Sequence, residues 1–258
     1  MSKSEINFTI QSEEDLLPGL PLPAPILTMI GPGKIGKTSF ACKFPKPLLL
    51  WTEAGAHGIN VPKYPMDKPV EDWMSLLKLI AAVKTQDHDR QTLILDTVDM
   101  AQRLATSYVI EKDYKGDPAL FEAYKSGYRP LREQFRRLLN GLAQVRAARN
   151  MNIVIISHEG QHRGASVHGD DYKQQGANLE TECWKQLRDF SDQIGYAGVK
   201  IRSVDRKPTN IGGNKRYIFF DDHPGRMAGC RAGYEMPENI ELDFDKYAEH
   251  MKGKINGI

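Results

Sequence analysis

The run Gly31-Pro32-Gly33-Lys34-Ile35-Gly36-Lys37-Thr38 has the G-x-x-x-x-G-K-[ST] spacing of a phosphate-binding loop. Its chemistry is that of a cradle for a polyphosphate. Gly31 and Gly36 allow backbone angles that turn successive N–H groups inward, toward phosphate oxygens. In that geometry the Lys37 ammonium reaches the β- and γ-phosphates, and the Thr38 hydroxyl ligates Mg²⁺. Pro32, Gly33, Lys34, Ile35 and Ser39 complete the expected nucleotide-binding stretch. Such a loop needs a strand before it and a helix after it. Ile26-Leu27-Thr28-Met29-Ile30 supplies the strand, and Ser39 to Phe44 suits a helix that starts near Lys37 with its positive dipole end toward the anion. The implied ligand is a nucleoside triphosphate, with ATP and Mg²⁺ as the expected pair.

Three more apolar runs read as strands buried on both faces: Pro47 to Thr52, Thr92 to Leu95 and Asn152 to Ile156. They end in Glu53, Asp96 and Ser157-His158 respectively. In open α/β sheets ligands sit at the carboxyl ends of the strands, so these residues should converge on the loop. Asp96 fits the carboxylate that holds Mg²⁺, usually through water. An Asp after a strand also serves as a plain loop cap; the phosphate loop upstream favours the metal role. Helical spacing runs from Val70 to Val83 and from about Val98 to Lys112. It is clearest in Tyr128, Leu131, Phe135, Leu138, Leu142 and Val145, with Pro130 in the first turn. A further helix is expected over Leu179 to Phe190, then strands over Gln193 to Ile201 and Lys215 to Phe220. Alternating strands and helices predict an α/β fold with a largely parallel central sheet flanked by helices.

With 258 residues, 40% hydrophobic and 26% charged, the chain has the composition of an ordinary soluble domain. A net charge of +2 is too small to mark a nucleic-acid binder, so any such role must rest on local patches. Three widely spaced cysteines, Cys42, Cys183 and Cys230, argue against a disulfide framework and have no metal-ligand spacing. No apolar run approaches the roughly 18 residues of a membrane span, and the N-terminus lacks the basic start and apolar core of a signal peptide. The expected compartment is the cytoplasm. Residues 1–25, polar and then proline-rich, read as an arm or a short edge strand (Phe8-Thr9-Ile10). Residues 26–242 read as the ATP-binding domain, and 243–258 as a C-terminal helix and tail.

The segments GPGKIGKTSFACKFPKPLLLWTEAG, LILDTVD, YKSGYRPLREQFRRLL, IVIISHEG and RDFSDQIGYAG occur in that order across residues 26–242. Together they resemble the phage-encoded RecA-like single-strand annealing proteins, a group of phage nucleotide-binding P-loop ATPases. The resemblance implies a RecA-like core that binds ATP and single-stranded DNA and anneals complementary strands during recombination, beside a single-strand DNA-binding protein. It implies a homo-oligomer, ring or filament, in a bacterial host's cytoplasm, with slow Mg-dependent hydrolysis. By the same resemblance, Glu53 orients and deprotonates the attacking water, and His158 senses the γ-phosphate. Near the C-terminus such proteins carry a Lys-x-Arg pair that reaches a neighbouring subunit's nucleotide. Here Ala228-Gly229-Cys230-Arg231 keeps the Arg and lacks the Lys, which leaves Arg231 as the trans-acting candidate.

The resemblance also implies DNA contact through two mobile loops. The first, about Asp113 to Arg129, carries Tyr114, Lys115, Tyr124, Lys125, Tyr128 and Arg129, a mixture of stacking rings and cations. The second, Gly160 to Gly176, carries Arg163 and Lys173 but also Asp170 and Asp171. A solvated loop and helix flank explain the same residues, and Tyr128 also begins the apolar stripe. Two other readings stay open on this core: a ring-forming helicase or motor, and a small-molecule phosphotransferase with an Arg-rich lid. The second of these gives Glu53 nothing to do.

Overall fold

The computed structural model describes residues 22–56, 58–164, 172–204, 207–210 and 214–258. The expected strand at Phe8-Thr9-Ile10, with the arm up to residue 21, lies outside the described residues. A sheet runs through the domain. Its central strands are β1 (Ile26–Gly31), β2 (Pro47–Trp51), β4 (Thr92–Asp96), β5 (Asn152–Gly164) and β7 (Gln193–Gly198), with the two-residue β3 (Lys63–Tyr64) at one edge. The order is β7-β1-β5-β4-β2-β3, all parallel. Beyond β7 the direction reverses: β10 (Tyr217–Phe219), β11 (Gly229–Cys230) and β12 (Asn239–Glu241) join antiparallel. A separate ribbon pairs β8 (Ile201–Val204) with β9 (Lys207–Asn210).

The continuous apolar runs exist because both faces of the sheet are covered. Ile26, Ile30, Leu93, Leu95, Ile153 and Ile155 face one layer of helices, α2 (Trp73–Thr85), α3 (Val98–Asp113), α5 (Tyr128–Arg149) and α6 (Thr181–Phe190). The alternate residues Leu27, Met29, Ile94, Val154 and Ile156 face the other side, against α1 (Lys37–Ala41) and α7 (Phe244–His250). That is the strand period of two, with each face given its own core. Asp72 caps α2 by accepting from the Ser75 N–H at 2.8 Å, and Thr97 caps α3, so both helices begin where a short polar side chain takes an orphan N–H.

The expected C-terminal helix is α7, and residues 243–258 pack onto the sheet: Phe244, Tyr247, Met251 and Ile255 are buried, and Phe44 lies 4.8 Å from Phe244, ring to ring. An aromatic face this apolar cannot stay in water, so it closes the sheet's second side. Asp113 to Gly127 is not an open loop. It folds into α4 (Pro118–Glu122), capped by Asp117, and a 3-10 turn, Ala123–Lys125. Phe121 is buried between the rings of Tyr114 and Tyr128, with centroids at 5.8 and 5.3 Å, so these two tyrosines serve packing. Gly127 permits this, because a Cβ there would sit 2.1 Å from the Phe121 ring. Finally, Gly160 to Gly176 is no irregular loop over its described residues. β5 continues through His158 to Gly164 and pairs antiparallel with β6 (Tyr172–Ala177). Asp170 and Asp171 lie outside the described residues.

Candidate nucleotide site

The strand registers bring the expected residues together. Gly31 pairs with His158 and Trp51 with Asp96, so the loop, the Glu53 turn, Asp96 and His158 all emerge on one edge of the sheet. Thr52 fixes two of these ends to each other. Its Oγ1 donates to the Thr97 carbonyl at 2.9 Å and accepts the Thr97 N–H at 2.8 Å. The result is a cavity of about 490 Å³ lined by Lys37, Thr38, Glu53, Asp96, His158 and Arg216, among others.

Within it, Thr38 Oγ1 donates to Asp96 Oδ2 at 2.8 Å. Gly36, at φ 112°, precedes α1 in a conformation that L side chains rarely adopt. Lys37 is folded back: its Nζ donates to the carbonyls of Gly31 at 2.7 Å and Pro32 at 2.8 Å. Burial lowers the Lys37 pKa, against the pull of Asp96, Asp99, Glu159 and Glu53. Burial likewise pushes the Asp96 carboxyl up to about 6, with the Glu53 charge adding to it and the Thr38 hydroxyl opposing. Glu53 is half-buried, its Oε1 3.8 Å from His158 Nε2, wider than a hydrogen bond.

His158 is held from behind by a residue the sequence reading did not single out. Asp99, 4% exposed, accepts from His158 Nδ1 at 3.0 Å and from the His158 N–H at 3.1 Å. Ser157 Oγ donates to the same carboxylate at 3.3 Å. The available signal was its place in the first turn of α3, three residues past Asp96. Arg216 was missed as well. It sits one residue before β10, and its Nη1 donates to the Ile35 carbonyl at 2.9 Å.

Of the remaining expected residues, Gly33, Lys34 and Ser39 also line the cavity, and Pro32 and Ile35 complete the loop. Those expected to touch DNA lie elsewhere. Lys125, Arg129, Arg163 and Lys173 are exposed, and Arg163 faces Lys173 in register across the β5–β6 hairpin. Arg231, expected to reach a neighbouring subunit's nucleotide, lies away from this chain's own loop. It follows β11, whose Cys230 pairs with Gln193, at the end of the sheet opposite the loop. Its guanidinium donates to Asp192 Oδ1 at 3.3 Å and to the Asp189 carbonyl. Asp192 is buried and also accepts from Arg146 at 2.7 Å, which explains why it holds a second cation.

A loop strand separated from the Asp96 strand by one intervening strand, on a mostly parallel sheet flanked by helices, is the arrangement of a P-loop NTPase fold. The model of a family described as an AAA domain matches residues 24–232, most of the chain, and the chain belongs to that family. Among solved structures it is similar to the RadB recombinase, at 12% identity and a TM-score of 0.43, over 77% of this chain and 80% of that one. Comparison with curated proteins finds no match. Among the described residues no helix is long and apolar enough to cross a membrane.

Proposed function

We propose that this chain binds ATP with Mg²⁺, hydrolyses it slowly, and uses the nucleotide state to control single-stranded DNA binding in strand annealing and recombination. The observation that carries the ATPase part is the Thr38–Asp96 contact at 2.8 Å, in a cavity that also holds Glu53 and His158. A hydroxyl and a carboxylate are hard oxygen donors suited to Mg²⁺, which keeps waters and takes phosphate oxygens for the rest. Thr38 and Asp96 would hold the ion, which when bound neutralises charge on the phosphates. The loop N–H groups and Lys37 bind the phosphates, Lys37 leaving the Gly31 and Pro32 carbonyls to do so. Glu53 takes a proton from the attacking water as its oxygen bonds to the γ-phosphorus, and the β–γ bridging oxygen leaves with ADP. His158 Nε2 faces the same space and reads the γ-phosphate.

Support for the DNA part comes from the surface. Lys125, Arg132, Gln161 and His162 border one groove of about 320 Å³, so both segments expected to meet DNA flank the same channel. Tyr124, which precedes Lys125 in the chain, is fully exposed, and both are held in left-handed backbone at φ 53° and 56°. A ring and a cation displayed together suit a stacked base and its phosphate. Homo-oligomerisation and partnership with a single-strand DNA-binding protein belong to the same reading, through the resemblance.

The test measures ATP turnover and annealing of complementary oligonucleotides, each with and without Mg-ATP and single-stranded DNA. Turnover stimulated by DNA, with annealing, supports the proposal. Turnover without DNA binding at low salt leaves an ATPase acting on something else. Transfer of phosphate to a small acceptor in place of water would favour the phosphotransferase.

A further inference from the structure

A cation of this chain that the phosphate-loop motif does not contain stands at the nucleotide edge. β7 runs parallel to β1, and β10 runs antiparallel to β7, with Tyr217 opposite Gly198. The chain therefore enters β10 from the side where β1 delivers the phosphate loop. Arg216, just before β10, is delivered directly beside that loop. Its backbone is pinned, since its carbonyl accepts the Leu242 N–H at 2.8 Å. Its side chain is exposed and, among the described residues, makes one hydrogen bond, from Nη1 to the Ile35 carbonyl. A Cβ added at Gly36 would lie 3.4 Å from that same nitrogen. Arg216 also lines the cavity that holds Lys37, Thr38, Glu53 and Asp96.

The charges of the cavity call for such a group. Asp96, Asp99, Glu159 and Glu53 all lie near enough to act on Lys37. A triphosphate adds further negative charge to a partly buried space, where unbalanced charge is costly. A guanidinium is always charged and presents parallel N–H donors that fit two phosphate oxygens at once.

We infer that Arg216 is a phosphate-binding residue of the nucleotide site, supplied by the same chain. When nucleotide binds, its guanidinium passes from the Ile35 carbonyl to phosphate oxygens. Ile35 thus acts as a parking place for the side chain, as Gly31 and Pro32 do for Lys37. The inference rests on the proposed nucleotide site and adds to it a cation that the phosphate-loop motif does not contain.

The experiment is calorimetric titration of the protein with Mg-ATP, alongside Arg216→Ala and Arg216→Lys, each at two protein concentrations about 20-fold apart. The expected result is a loss of ~10-fold or more in ATP affinity for Arg216→Ala. Arg216→Lys recovers part of it, and the loss is the same at both concentrations. Equal melting temperatures for Arg216→Ala and the native protein establish that the fold is intact. Native affinity in Arg216→Ala overturns the inference while leaving the nucleotide site standing. A loss seen only at the higher concentration also overturns it, because Arg216 would then act on a neighbour's nucleotide. Absence of ATP binding by the native protein would instead remove the nucleotide site itself.

Discussion

His158 Nδ1 donates to Asp99 Oδ2 at 3.0 Å, and the His158 backbone N–H donates to the other oxygen of the same carboxylate at 3.1 Å. One buried acid thus fixes both the ring and the chain of His158, leaving Nε2 turned toward Glu53. Carboxylates behind functional imidazoles fix the tautomer as well as the orientation. Asp99→Asn keeps the shape but removes the charge that selects Nδ1–H. Its expected outcome is ATP turnover reduced ~10-fold or more, with ATP affinity within a few-fold of native. A changed ¹⁵N shift pattern for the His158 ring should accompany the loss. Native turnover, or an unaltered ring spectrum, would show that Asp99 is only a structural acid.

Lys37→Ala removes the one loop cation aimed at the β- and γ-phosphates and leaves the loop backbone in place. ATP binding should fall below detection in a titration. Binding within a few-fold of native would make the loop an ordinary glycine-rich turn.

Glu53→Gln and Asp96→Asn should separate. The first deletes a general base without changing shape, so ATP affinity stays and turnover falls about 10²-fold or more. The second leaves the base and weakens the Mg²⁺ dependence of binding. Matching affinity defects in the two variants would contradict the division of roles.

The Asp96 carboxyl, raised to about 6 by burial, gives two pH dependences. Mg²⁺ needs the ionised form, so Mg-dependent ATP binding should weaken as pH falls through about 6. Stability of the protein without ligand moves the other way. A raised folded pKa contributes stability that is complete below the unfolded value and lost as pH rises through 6. Asp96→Asn should therefore be more stable than native at pH 7, by on the order of 2 kcal/mol. The gain should vanish near pH 4. Melting curves at both pH values check it, and a gain that persists at pH 4 would assign the effect to something other than ionisation.

The phosphate loop, the parallel strands and the long α5 were readable because each is a local pattern: fixed spacing, continuous apolar runs, steps of three and four. The convergence of Glu53, Asp96 and His158 followed from strand ends, while the roles given to Glu53 and His158 came from the resemblance. The misses share a different cause. Asp99 and Arg216 reach the site only through tertiary placement, one by a helix turn facing back to β5, the other by the antiparallel return of β10. Gly160 to Gly176 has no apolar period because the positions that β6 buries within it are Gln174 and Gly176, one polar and one without a side chain. Phe121 lay in a polar segment, and a single buried ring carries no periodicity. The C-terminal aromatics were visible, but their partners Phe40 and Phe44 lie some two hundred residues away.

The last prediction joins the two ends of the proposed function. β5 carries His158 at the nucleotide edge and continues without a break into the hairpin, where Gln161 and His162 border the groove next to Lys125. Asp99 touches His158 on one side and lines a second cavity with Tyr128, Asn178 and Glu180 on the other. The proposed γ-phosphate contact at His158 Nε2 would act on the strand that carries this hairpin, and it is expected to bias the hairpin's position. ATP should strengthen single-stranded DNA binding, and His158→Ala should remove that enhancement while sparing ATP affinity. Lys125→Ala and Lys173→Ala should each weaken DNA binding regardless of sequence. Each should also flatten the salt dependence by the ~0.7 expected for one single-strand phosphate contact. The measurement is DNA affinity across a salt series with ATP, with ADP and without nucleotide. Equal affinity in all three states for the native protein would sever nucleotide from DNA. A salt slope unchanged in both lysine variants would move the DNA path away from this groove.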